Sequence, residues 1–491
     1  MALIPLQLPP GVYRNGTEMQ AANRWRDASL VRWKNGALQP VGGWNFRQTL
    51  NTTPPRAALG WQDLSADRWV AAGFHDSLIA MTASGLVYDI SPSDLVTGTI
   101  DAEVNTGYGG GFYGFGDYGT ERADDGLFSD ATTWSLDNFC ENLIACSTAD
   151  GRLLEWDLDT AADAAVIANA PINNAAMLVT DERFIFALGA GGNPRKVQWC
   201  DRENNTVWTP LATNEAGDIE LSMSGRIMCG IRTRGQSLIL SDTDAHSATY
   251  IGGQFVYGFQ KVGSSCGVIS RKAAAAVDRG VFWMGNSNFH VYSGGAVQDL
   301  PSDVGDYVFN DINTAQQSKI WAVSNQSFNE VWWFYPSADS VEINRYVVYN
   351  YADNHWTIGS LTRTAGLDLG AFTSPIWFAE DGSAFDQEFG FYLGDGSAFA
   401  ESGPISFGAG DAVMRATSLI PDEITQGDVQ ATFKARFYPN DVERSYGPYA
   451  MANPTPVRFT GRQIRMRVEA TTLADWRVGI MRLDAMPGGR R

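Results

Sequence analysis

Gly263-Ser264-Ser265-Cys266-Gly267 satisfies G-x-S-x-G, the pattern of a nucleophile elbow. An elbow presents its serine on a sharp turn between a strand and a helix, beside an acid–histidine pair that takes the proton. Here the flanking chain reads as strands on both sides, and no acid–histidine pair stands out, so a turn is expected. The stretch GIRTRGQS, Gly230 to Ser237, has phosphate-loop glycine spacing but Gln236 where a lysine must meet the phosphate, and it reads as a loop. Asp242-Thr243-Asp244-Ala245-His246 offers hard oxygen ligands, yet it lacks the glycine at position six and the distal glutamate of a calcium loop. A solvated turn is expected there. The four histidines, His75, His246, His290 and His355, fall in or beside expected strands and turns. A glycosidase needs two carboxylates facing across a cleft, and the 55 acidic residues single out no such pair. Cys140, Cys146, Cys200, Cys229 and Cys266 have no zinc spacing and read as free thiols of a chain folded in reducing cytoplasm. The expectation is no catalysis, no cofactor and no metal.

The elements around these residues are short apolar runs broken by turn formers. In GVFWMGNSNFHVYSGG, Gly280 to Gly295, Val281 to Met284 are apolar on both faces, Gly285 to Asn288 turn, and Phe289 to Tyr292 return. A strand without a wet face needs cover on both sides. The same unit begins at residues 69, 143, 184, 238, 281, 331 and 376, at intervals of 74, 41, 54, 43, 50 and 45. Most of these match the ~40–50 residues of a four-stranded propeller blade. The reading is therefore all-β: a six- or seven-bladed β-propeller over 67–403, ahead of a large multi-sheet sandwich with accidental spacing. Residues 1–66 form an arm with a hairpin, its Asn35-Gly36 signalling a type I′ turn, and contribute to ring closure or adaptor contact.

The longest interval carries an insertion at about 92–135 that includes NTGYGGGFYGFGDYGTERADDG. Its glycines are too dense for a strand. Its Tyr108, Phe112, Tyr113, Phe115 and Tyr118 either pack on their own blade or form a candidate subunit interface, aromatics being enriched at interface cores. Past residue 404 the pattern alternates. Val429 to Phe437, Val457 to Val468 and Trp476 to Leu483 read as strands of a small sandwich-type domain over 404–491 with a basic tail.

Composition narrows function further. The net charge of −19 over 491 residues argues against a nucleic-acid-binding surface, though not against a channel through which DNA slides. No apolar run reaches the ~20 residues of a membrane helix, and MALIPLQLPPGVYRNG does not look like a signal peptide.

Four blocks carry a resemblance: IPLQLPPGVYRNGTEMQAANRWRDASLVRWKNGALQPVGGW; YGGGFYGFGDYGTE with TTWSLDNFCENLIA; CGVISRKAAAAVDRGVFWMGNSNFHVYSGG; and GRQIRMRV with WRVGIMRLDAMPGGRR. The chain resembles the propeller-bearing tail nozzle or hub proteins of short-tailed bacteriophages. The resemblance implies a ring, typically a hexamer, that conducts genomic DNA without binding it specifically. It implies contact with a portal-side adaptor and with tail fibres or spikes, and a place in the virion tail after assembly in host cytoplasm. It transfers no catalytic residue. A propeller-type receptor- or glycan-binding tail module is the alternative, and a propeller hydrolase stands behind both.

Overall fold

Leu143-Ile144-Ala145-Cys146 shows why the repeated strands lack a wet face. Successive side chains of a strand point to opposite sides of its sheet. Leu143 and Ala145 pack with Ala71, Leu78 and Ala80, from the sheet before. Ile144 and Cys146 pack with Met177, Ile185 and Ala187, from the sheet after. The next sheet repeats this, sending Ile185 and Ala187 back and Phe184, Phe186 and Leu188 forward. Each seam between sheets is thus a small core, which is blade packing.

The computed structural model describes residues 2–104, 128–253, 255–390, 397–406, 413–451 and 453–488. Seven four-stranded antiparallel sheets form a closed ring among these residues. Blade 1 begins at Ala57–Gln62, blade 2 at Trp134–Phe139, blade 3 at Ala176–Val179 and blade 4 at Ile227–Thr233. Blade 5 begins at Ala274–Val277, blade 6 at Trp321–Asn325 and blade 7 at Ala365–Leu367. These first strands contact one another in succession, and that of blade 7 returns to that of blade 1. The fold is a seven-bladed propeller, and the seven apolar runs found in the sequence are the second strands of its blades.

The seventh blade takes its outermost strand, Trp44–Thr49, from the N-terminal side, antiparallel to Ser383–Gln387. Strands Trp44–Thr49 and Ala57–Gln62, both within 1–66, are therefore blade strands. Val31–Lys34 pairs with Ala37–Pro40 around Asn35-Gly36, whose φ values of 53° and 80° are those of the mirror-image turn.

A β-sandwich holds the two sides of the chain together. One sheet runs Ala2–Leu6, Met481–Pro487, Met414–Ile420, Thr455–Gly461. The other holds Trp25–Ser29, Phe399–Ser402, Gln463–Ala470, Val429–Arg436 and Arg444–Ala450. Phe433 and Phe459 stack across the two sheets at 5.0 Å. Trp476 to Leu483 is not one strand, contrary to expectation. Trp476 is fully buried, Val478 makes isolated bridges to Leu38 and Glu423, and the strand starts only at Met481. Apolar residues there fill the junction with the hairpin instead of alternating across a sheet. Sandwich residues and blades 4 to 7 share one continuous core.

Candidate functional site

In an antiparallel blade, strands 1 and 3 run one way and strands 2 and 4 return. The turn between strands 2 and 3 therefore lies on the same face as the exit to the next blade. On that face the blade 4 turn at Asp242-Thr243, the exit loop Ser265–Gly267 and the blade 5 turn at Gly285–Asn288 converge. They line an open pocket of about 470 Å³.

Its floor depends on close backbone approach. A Cβ on Gly267 would lie 1.9 Å from the Asp242 carbonyl oxygen, and one on Gly285 would lie 2.9 Å from the Gly267 oxygen. The Cys266 amide donates to the Thr243 carbonyl at 3.0 Å, tying the exit loop to the turn. The G-x-S-x-G glycines serve this packing, since a Cβ on Gly263 would sit 2.6 Å from Val297. Ser265 has φ of 56°, and the chain runs on to the strand Ala274–Val277 without a helix. The amide after the serine, which an elbow holds free for an oxyanion, is already committed.

His290 lies directly opposite Asp299 in the paired strands Phe289–Ser293 and Ala296–Leu300. Its Nδ1 is 2.9 Å from Asp299 Oδ1, a contact that becomes an ion pair only when the ring is protonated. On the other side Trp283 is its strand partner, the ring centroids 5.6 Å apart. Burial lowers the His290 pKa and Asp299 opposes this, so the imidazole is neutral near pH 7. No acid–histidine pair stands out in the sequence, and the fold brings this one together. It escaped notice because it is made across a hairpin, and the signal was Gly294-Gly295: a two-residue turn there sets His290 against Asp299.

The rest of the wall is polar. Lys261 Nζ lies 3.0 Å from Asp244 Oδ2. Burial also lowers the pKa of His246, the cross-strand partner of Lys261, and pushes Cys266 up to about 11, so its thiol stays protonated. Asp244 to His246 are strand residues, and buried ones, rather than the solvated turn expected. GIRTRGQS is a hairpin turning at Arg234-Gly235, with no helix to complete a phosphate site. Among the described residues no group of three His, Cys, Asp or Glu could hold a metal.

Tyr108, Phe112, Tyr113, Phe115 and Tyr118 lie outside the described residues; the chain on either side is joined by Glu103–Val104 pairing with Phe128–Ser129. Arg465 and Arg467 of the sandwich sit among acids: Arg465 beside Glu18, Glu401 and Glu443, and Arg467 beside Glu401 and Glu469. No described helix is long and apolar enough to cross a membrane.

No protein-family model matches the chain, and no curated protein is similar to it. Solved structures are similar in fold. Virginiamycin B lyase from Staphylococcus aureus shares 8% identity at a TM-score of 0.42, over 70% of this chain and 99% of that one. YCF48 from Cyanidioschyzon merolae shares 8% at 0.41, over 70% and 98%. PorZ of Porphyromonas gingivalis shares 9% at 0.39, over 76% of this chain and 44% of that one. The expectation of a chain without catalysis is corrected here. A lyase stands among the similar structures, so this architecture does not exclude an enzyme. At 7–8% identity the likeness is one of fold and brings no activity to this chain.

Proposed function

We propose that the chain is a structural subunit of a phage tail, a nozzle or hub that assembles into a ring and joins the adaptor side to lower tail parts. The observation that carries this reading is how the chain is tied together. Strands from before and after the propeller share one sandwich, and that sandwich is continuous in core with four blades. A subunit through which force and a genome pass gains from modules that share one packed core. The four blocks of sequence that resemble tail nozzles support the same reading, as does the acidic balance of −19. Each lysine or arginine that meets a phosphate adds affinity by releasing counterions, so a conduit lined by acidic or neutral groups lets DNA slide. Electron microscopy of the purified full-length chain, with antibody labelling of the particles it came from, tests the proposal. Rings with an open axis and label on the tail are expected. A monomer that labels no particle overturns it.

A further inference from the structure

We infer that the pocket between blades 4 and 5 is a binding site for a neutral carbohydrate chain. The inference goes beyond the nozzle reading and does not rest on it. Among the described residues, the side chains of Ser265, Asn286, Ser287 and Asn288 make no hydrogen bond to protein, yet all four line the same pocket. His290 also lines the pocket, only 4% exposed, with Nδ1 2.9 Å from Asp299 Oδ1.

The chemistry of the wall disfavours anions, metal ions and lipids. Asp242 and Asp244 repel anions, and Lys261 is already paired with Asp244. The absence of a third ligating group removes a metal ion among the described residues. The pocket lining is mostly polar and includes no Phe, Tyr, Trp, Leu, Ile or Val side chain for a lipid tail or a flat base to rest on. What fits is a ligand whose groups both donate and accept. Sugar hydroxyls donate to the carboxylates and to the neutral imidazole, and accept from the asparagine amides and serine hydroxyls. Displacing pocket water by hydroxyls that reproduce its hydrogen bonds costs little.

A glycan array printed with neutral and sialylated glycans at equal density, probed with the full-length protein, tests this. Neutral glycans should bind, and the strongest should be confirmed in solution by calorimetry. Ser224→Trp and Ser287→Trp place bulk at two exposed residues of the pocket lining, outside the blade core. Each should weaken that binding by about tenfold or more while leaving the circular dichroism unchanged. In the wild-type protein, hydroxyl-radical footprinting should show the bound glycan protecting 286–288. Absence of any bound glycan overturns the inference. So does binding confined to sialylated glycans, binding that both tryptophan variants leave intact, or protection that falls elsewhere.

Discussion

Arg32 and Glu330 are 298 residues apart and form a buried, two-point ion pair. Arg32 Nε lies 3.1 Å from Glu330 Oε1, and Nη2 lies 3.0 Å from Oε2. Glu388 binds the same guanidinium from blade 7, and the ring of Phe328 lies 3.6 Å beneath it. One arginine of the N-terminal hairpin therefore fixes that hairpin to blades 6 and 7. Burial would lower its pKa, and the charges of Glu330 and Glu388 outweigh that and raise it.

Removing that cation leaves two carboxylates facing each other out of water. Arg32→Ala is expected to cost about 3–5 kcal/mol by denaturant unfolding at pH 7. Arg32→Lys should recover only part, because a point charge cannot bridge two carboxylates with a planar fork. The deficit of the alanine variant should shrink between pH 7 and pH 5. Without the cation the folded carboxylates take protons more readily than the unfolded ones, so acid then favours the folded state. A deficit independent of pH counts against the charge account.

Trp283 is wholly buried and donates from Nε1 to the Cys266 carbonyl at 2.8 Å, beneath the pocket. Trp283→Ala is expected to destabilise by ~3–5 kcal/mol, with Trp283→Phe costing less. Unchanged thermal stability in the alanine variant is the result that the blade packing does not allow.

Three buried histidines set a pH dependence. Burial lowers the pKa of His246, His290 and His355 from the ordinary value of 6.5, against Asp244, Asp299 and Asp353 respectively. The unfolded chain therefore takes up protons at these positions before the folded one does. Their contribution is full above pH 6.5 and falls as pH drops through and below it. Melting temperature measured from pH 7.5 to 5 should decline, and His355→Gln should flatten that decline. An unaltered slope in the variant assigns the decline to other groups.

The insertion is tested by excision. Val104 pairs with Phe128, so the ends of the intervening segment meet and a shorter link can close the gap. Deleting residues 108 to 118 should leave circular dichroism unchanged and reduce ring formation in sedimentation or electron microscopy. A deletion that does not fold places those aromatics in a blade core.

The architecture was legible because blade strands carry an unusual mark. Val331-Trp332-Trp333-Phe334-Tyr335 is apolar on every position, and only a sheet covered on both faces accepts that. The closing strand was harder to see. Trp44-Asn45-Phe46-Arg47-Gln48-Thr49 is an outer strand with exposed positions, and its partner lies at the far end of the chain, where local pattern gives no guidance. Trp476 to Leu483 misled because composition marks burial and not the element that achieves it. The His290–Asp299 pair followed from a hairpin register set by two glycines, whereas the convergence of Ser265 with Asn286 depends on neighbouring blades. Distances of that kind are set by closure of the ring.

That closure also has a schedule. Thr49 meets Ser383, 334 residues later in the chain. At ~5–20 residues per second on the ribosome, the strand waits roughly 15–70 s for its partner. Ala2–Leu6 waits longer still, for Met481–Pro487. Blades 1 to 6 can form in order as they emerge, while Ala2–Leu6 stays unpaired until Met481–Pro487 is made. A chain cut short before Met481 therefore leaves the edge of Ala2–Leu6 open, and one that reaches Pro487 can seal it.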